Sequence, residues 1–257
     1  MGILSSSENI LIVGRRAVLE FVQEQPQNIR ELHWSAGEGS ASLNRLLEEA
    51  RKADLKVVQV PKKQLDDLCG HTAHQGVVIF PTAPAYADLN QVIRSARAAG
   101  EQALLVVADH IQDPQNLGAL MRSALGAGAS ALIIPKDRAC PLTSAVAKAS
   151  AGASARLPVA RVTNLSNTLR ELKEAGLWVL SATNSLAPPP WTLDLRRPLA
   201  LVVGNEHKGV SPQVIKHSDM LTGLPLQGGL ESLNAAVAAG ILLFEVIRQR
   251  SVHPRIG

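Results

Sequence analysis

The sequence predicts an α/β protein. A parallel sheet covered by helices on both faces fills the second half, and a smaller α/β unit precedes it. Three observations carry this. From residue 103 onward, apolar runs of strand length alternate with stretches of helical period. Those runs, "ALLVVAD", "ALIIP", "LWVLSA", "LALVVG" and "MLTGLP", are apolar almost throughout, as parallel strands buried on both faces are. Residues 81 to 87, "PTAPAYA", carry the prolines and alanines of a link between the halves.

Each element follows in turn. Residues 1–81 form the first unit. "ENILIVG" leads into "RRAVLEFVQEQ", where Ala17, Val18, Phe21 and Val22 share one helical face. "IRELHWS", "KVVQV" and "GVVIF" read as strands, and "SLNRLLEEARKA" as a helix with Leu43, Leu46 and Leu47 inward. Residues 82–101 are a linker and a first helix, "DLNQVIRSARAAG", with Asp88 as N-cap and Gly100 as its stop. Residues 102–257 form the parallel-sheet domain. Within it, "NSLAPPPWTLDLRRP" (184 to 198) is a proline-rich surface loop. The last helix places Leu233, Val237, Gly240, Phe244 and Ile247 on one face, with Gly240 marking close packing against another element, a partner's helix included.

Composition removes several function classes. Aromatic residues make up 3% of the 257, too few for a stacking platform to be the main mode of nucleic-acid binding. The net charge of +4 suits a nucleic-acid partner without establishing one. Cys69 and Cys140 form no CxxC pair, which argues against a zinc site or a disulfide framework and for a reducing cytoplasm. No apolar run approaches membrane-spanning length, and the start has no export signal. The dinucleotide glycine fingerprint and the phosphate-binding loop are both missing. "GAGA" at 126 to 129 follows a helix rather than a strand, so a nicotinamide-dependent enzyme is poorly supported.

Three polar clusters stand at strand ends in the second half, where open α/β sheets bind ligands. The first, in "DPQNLGALMRSALGAGA" (113 to 129), holds Asn116 and Arg122. The second, "VVGNEHKGVS" (202 to 211), holds Gly204 and Glu206; the third, residues 224 to 245, holds Ser232 and Asn234. Arginine is poorly suited to act as a base, but its planar fork can clamp a phosphate bidentately. Asn116 and Ser232 also stand where helix N-caps are expected. Glu206 is a carboxylate just beyond a strand end, and Gly204 allows close approach to the backbone.

Together these clusters resemble the three motifs of the SpoU family of RNA 2′-O-ribose methyltransferases, within the SPOUT class. The likeness spans roughly residues 103 to 250: asparagine, glycine and arginine at 116, 118 and 122, glycine and glutamate at 204 and 206, and Ser-Leu-Asn at 232–234. The family usually has glycine where this chain has His207. "GRRAVLE" and "HQGVV" resemble the RNA-binding domain, L30e-like in fold, of the 23S ribosomal RNA guanosine branch, which transfer RNA members commonly lack.

The resemblance implies a deep trefoil knot, a homodimer with the RNA site across its interface, and S-adenosylmethionine as cofactor with no metal. It implies catalytic roles for Arg122, Asn116, Glu206, Ser232 and Asn234, cofactor contacts at Gly204, Leu224 and Leu233, and RNA contacts at Arg15, Arg16, His74 and Gln75. The implied reaction is 2′-O-methylation of a guanosine in 23S ribosomal RNA, in the cytoplasm. A transfer RNA substrate, or a non-catalytic ribosomal RNA assembly factor on the same fold, are the alternatives.

Overall fold

The computed structural model describes residues 11–24, 26–36, 41–69, 74–81, 86–183, 186–205 and 208–252. Contacts divide the chain into two compact units between Ala85 and Tyr86.

The first unit runs β1 (Ile12–Val13), α1 (Arg15–Glu24), β2 (Ile29–Trp34), α2 (Ala41–Lys52), β3 (Val57–Gln59), α3 (Lys62–Cys69), β4 (Val77–Pro81). Its sheet has the order β1-β4-β2-β3 and is mixed: β2 and β3 are parallel, and β4 is antiparallel to β1 and β2. β4 reads as one continuous apolar run because both its faces are covered. Val77 and Ile79 pack with Val18, Val22, Leu43 and Leu46, while Val78 and Phe80 pack with Val60 and Leu65. Ala17, expected on the inner face of α1, is exposed; Val18 and Val22 are the buried residues of that helix.

The second unit runs α4 (Leu89–Ala99), β5 (Leu104–Asp109), α5 (Pro114–Gly126), β6 (Ala131–Pro135), α6 (Ser144–Ala149), α7 (Ala153–Arg156), β7 (Val159–Val162), α8 (Leu165–Glu174), β8 (Trp178–Ala182), β9 (Leu199–Gly204), α9 (Pro212–Ile215), β10 (Met220–Thr222) and α10 (Ala235–Val252). The six strands take the order β10-β8-β9-β5-β6-β7, every neighbouring pair parallel. Period-two alternation divides their side chains. Leu104, Val106, Leu132, Leu180 and Leu201 face α5, α7 and α10; Leu105, Val107, Ile133, Val179 and Val202 face α4, α8 and α9. Burying each such side chain stabilises the fold by roughly 1.5–3 kcal/mol.

α4 begins and ends as its sequence directs. Asp88 accepts a hydrogen bond from the Gln91 amide at 3.0 Å, and Gly100 stops the helix at φ +55. Val92, Ile93 and Ala96 pack in the same core as Leu105 and Val107, so this helix is part of the second unit's sandwich.

Two readings are corrected. The strand β7 was not anticipated; it lies at the sheet edge, and its exposed Arg161 interrupts the apolar run. The proline-rich segment is not a plain surface loop, since Pro190 and Leu195 are buried. Gln249 of α10 holds it from both sides, accepting from the Leu195 amide at 2.9 Å and donating to the Pro190 carbonyl at 3.3 Å. The Thr222 hydroxyl donates to the Pro188 carbonyl at 2.9 Å. Within the segment, the Arg196 guanidinium hydrogen-bonded to Asp194 holds that carboxyl down at about 2. Among the described residues no helix is long and apolar enough to cross a membrane.

Candidate functional site

Because all six strands run the same way, their carboxyl ends share one edge of the sheet. β5 ends at Asp109, a buried carboxylate that accepts from the Ser211 amide at 2.6 Å and pairs with the neighbouring His110 ring. β5 is thereby tied to the segment that follows β9.

α5 opens five residues later, at Pro114. Its N-cap is Asp113, which accepts from the Asn116 amide at 3.0 Å, with Pro114 in the first turn. Asn116 is therefore not the cap, and its side chain is used elsewhere. Its Oδ1 accepts from Asn234 Nδ2 at 2.7 Å, joining residues 118 positions apart. Asn234 in turn caps α10, its Oδ1 accepting from the Ala236 and Val237 amides at 3.0 and 3.2 Å. The cap is thus Asn234 and not Ser232, which is exposed two residues earlier.

Two glycines make this meeting possible. A Cβ on Gly118 would lie 2.4 Å from the Ala149 Cβ and 2.8 Å from the Ser150 amide nitrogen, so α5 rests directly on α6. A Cβ on Gly204 would lie 2.1 Å from the Gly209 carbonyl carbon. The close approach expected at Gly204 is thus first of all that of the chain itself. Asn205 and Gly209 exchange both backbone hydrogen bonds. Glu206 and His207 lie outside the described residues. Gly240 differs: a Cβ there would meet the Ser123 Oγ of α5 at 3.5 Å, an ordinary contact, so packing within the chain leaves room for a side chain.

A cavity of about 380 Å³ opens at this edge. Four sequence-predicted residues line it: Gly204, Leu224, Ser232 and Leu233. Sequence reasoning missed Thr183, Asn205 and Lys208 in its walls. Their signal was positional: Thr183 follows β8 directly and Asn205 follows β9. Arg122 does not line this cavity. It is exposed on α5 and has no ion-pair or hydrogen-bond partner among the described residues. Six residues along a helix turn it about 240° away from Asn116.

In the first unit, Arg15, Arg16 and Gln75 line a concavity of about 750 Å³ together with Arg45, which the sequence reading missed. Arg15 is held in place: its amide donates to Gln75 Oε1 at 3.1 Å, its Nε to the Gln75 carbonyl at 2.9 Å, and its Nη1 to Ser42 at 3.2 Å. Gln75 sits at φ +51, which turns its carbonyl towards Arg15. His74 departs from expectation. It is buried, its Nδ1 accepts from the Gly76 amide at 3.0 Å, and its Nε2 therefore donates to Asp66 at 2.8 Å. It locks the turn before β4 and offers no face to RNA. Among the described residues no three His, Cys, Asp or Glu side chains gather as a metal would need.

The family model for the SpoU rRNA Methylase family matches residues 103–244, and the model for RNA 2'-O ribose methyltransferase substrate binding matches residues 11–87. A putative TrmH family tRNA/rRNA methyltransferase, YacO of Bacillus subtilis (strain 168), is 39% identical over 246 residues, covering 96% of this chain and 98% of its own. The 23S rRNA (guanosine-2'-O-)-methyltransferase RlmB of Xylella fastidiosa (strain Temecula1) is 39% identical over 247 residues, 96% of this chain and 99% of its own. Among solved structures, the SpoU methyltransferase AviRb of Streptomyces viridochromogenes in complex with AdoMet superposes with a TM-score of 0.76 at 25% identity, over 95% of this chain and 91% of that one.

Proposed function

Because the chain belongs to the SpoU rRNA methylase family, we propose that it transfers the methyl group of S-adenosylmethionine to the 2′-hydroxyl of a guanosine in 23S ribosomal RNA. The observation that carries this reading is the convergence of the three polar clusters on one sheet edge, with Asn116 and Asn234 hydrogen-bonded beside the first cavity.

The cavity suits the cofactor chemically. Its volume falls in the range of small-molecule sites, and Val203, Leu224, Leu226, Leu233 and Leu242 give it the apolar walls an adenine and a thioether arm need. When bound, S-adenosylmethionine supplies an electrophilic methyl group on a sulfonium, a leaving group that requires no metal. Gly204, Leu224 and Leu233 are the residues we assign to holding it.

The chain's own groups then have two tasks: to hold the ribose oxygen in line with the methyl carbon and to stabilise that oxygen as its proton leaves. Arg122, with a planar fork that suits phosphate and an arginine's poor aptitude as a base, is a clamp for the RNA phosphate and the developing alkoxide. Glu206 orients it; Ser232, Asn116 and Asn234 hold the RNA backbone at the rim. Since Arg122 lies outside its own cavity, it serves the cavity of a second copy. The exposed stripe of Val237, Ile241 and Phe244 on α10 is the apolar surface for that dimer. The same reading threads the end of the chain through a trefoil knot, and places the enzyme in the cytoplasm with its RNA. Arg15, Arg16 and Gln75 of the first unit supply further RNA contacts.

The test is methyl transfer by the purified chain to total RNA from cells that lack it, followed by mapping of 2′-O-methyl groups. One new methylated guanosine in 23S RNA is expected. Label confined to transfer RNA would move the substrate, and binding of ribosomal RNA without transfer would leave an assembly factor.

A further inference from the structure

A second cavity, about 600 Å³, lies at the same sheet edge, over the ends of β5, β6 and β7. Asn205, Lys208 and Gly209 line both cavities, so the segment after β9 is a shared wall between them. The methyl-transfer reading assigns the second cavity no task.

Its lining has the chemistry of an anion site. Lys208 and Arg138 face it, and neither has an ion-pair partner among the described residues. Arg138 is held at φ +52, where a non-glycine residue is uncommon. Thr163, Ser166 and Ser211 bring hydroxyls with no hydrogen-bond partner among the described residues. His110 adds an imidazole whose Nδ1 is engaged by Asp109, leaving Nε2 for a ligand. Two carboxylates oppose this. Asp109 is buried and already satisfied by the Ser211 amide and His110, and Asp137 is exposed at the rim. The start of α8, in the same wall, adds the positive end of a helix dipole.

We propose that this second cavity holds a phosphodiester of the RNA strand that carries the target nucleotide. The proposal rests on the methyltransferase reading of the first cavity. An RNA strand with its ribose at the first cavity brings its next phosphate across the shared wall, where Lys208 and Arg138 meet it. Free inorganic phosphate has the same chemistry and is the competing source.

The test uses the full chain, the variant Arg138→Gly, and the double variant Arg138→Gly/Lys208→Ala. Glycine accepts the positive φ at 138 without strain, so the single variant keeps the backbone. Binding of a mixed-sequence single-stranded RNA oligonucleotide is measured against salt concentration, alongside cofactor binding and methyl transfer to 23S RNA. The slope of log affinity against log salt is expected to fall by about 1 for the single variant and about 2 for the double, equally for all RNA sequences. Cofactor affinity of Arg138→Gly stays at the parent value, and its KM for RNA rises. An unchanged slope in the double variant, with methyl transfer by the parent intact, overturns the proposal and spares the methyltransferase reading. Phosphate binding lost in the variants while the RNA slope stays put assigns the cavity to a free anion and likewise overturns it. Absence of methyl transfer in the parent strikes the reading beneath it instead.

Discussion

The two sheets of this protein treat the residues at their strand ends differently. In the six-stranded sheet every strand is parallel, so Asp109, Ala182, Gly204 and Thr222 all emerge at one edge. Residues that follow them meet there whatever their separation, as Asn116 and Asn234 do. In the four-stranded sheet β4 runs against β1 and β2, and strand ends leave at both edges. Neighbouring polar residues there take unrelated tasks: Gln75 holds Arg15 at the surface, while His74 beside it is buried as part of a turn. Position after a strand is thus a strong functional signal in the parallel sheet. In the mixed one, residue type and sequence neighbourhood do not separate binding from structure.

The largest expected effect falls on the parallel sheet's cluster. Arg122→Ala should lower single-turnover methyl transfer on saturating RNA by about 10²–10³-fold, the loss typical of one preorganised donor. Thermal unfolding should hardly move, because the side chain is exposed and has no partner among the described residues. Arg122→Lys should rescue poorly, since an ammonium lacks the planar fork. A near-parent rate for Arg122→Ala would remove the arginine from the chemistry and break the link between strand-end position and function.

Next in size is Gly118, which lets α5 lie on α6. An alanine there places its Cβ within 2.9 Å of three atoms of Ala149 and Ser150, two of them backbone. Overpacking of this kind costs about 3 kcal/mol at the upper end of its usual range. In an open helix the same change would instead stabilise by about 1 kcal/mol. Calorimetric unfolding decides between them by sign. A raised melting temperature for Gly118→Ala would mean that α6 is not packed on α5, and that Asn116 is positioned by something else.

Much of this was legible because the second unit's code is local and redundant. Five strands of the parallel sheet announced themselves as apolar runs, and Asp88 and Gly100 bracketed α4 as expected. The cluster residues were legible as polar interruptions at strand ends. What the sequence did not yield depends on packing between distant segments. The cap of α5 is Asp113 and that of α10 is Asn234, each displaced from the residue expected: Asn116 turns its side chain to Asn234, which caps α10 with its oxygen and meets Asn116 with its nitrogen. Gly118 and Gly204 are small for the sake of Ala149 and of the Gly209 backbone, contacts that no periodicity encodes. β7 escaped notice because an edge strand needs only one covered edge and tolerates Arg161.

The smallest predicted effect sharpens the comparison from the other side. His74 looks like an RNA ligand in sequence, flanked by Gln75 in the stretch "HQGVV". Its geometry makes it a brace: one ring nitrogen takes the buried Gly76 amide and the other gives its hydrogen to Asp66. His74→Ala removes both bonds. The Asp66 carboxylate is a third exposed and regains water, while the Gly76 amide is left buried without a partner. Orphaning one such amide costs about 2 kcal/mol. The first unit should therefore unfold at lower denaturant, and RNA affinity per folded molecule should stay at the parent value. Arg15→Ala should do the reverse, weakening RNA binding with little change in stability. If His74→Ala instead weakened RNA binding at full stability, the imidazole would be a contact after all, and strand-end position would carry the same meaning in both sheets.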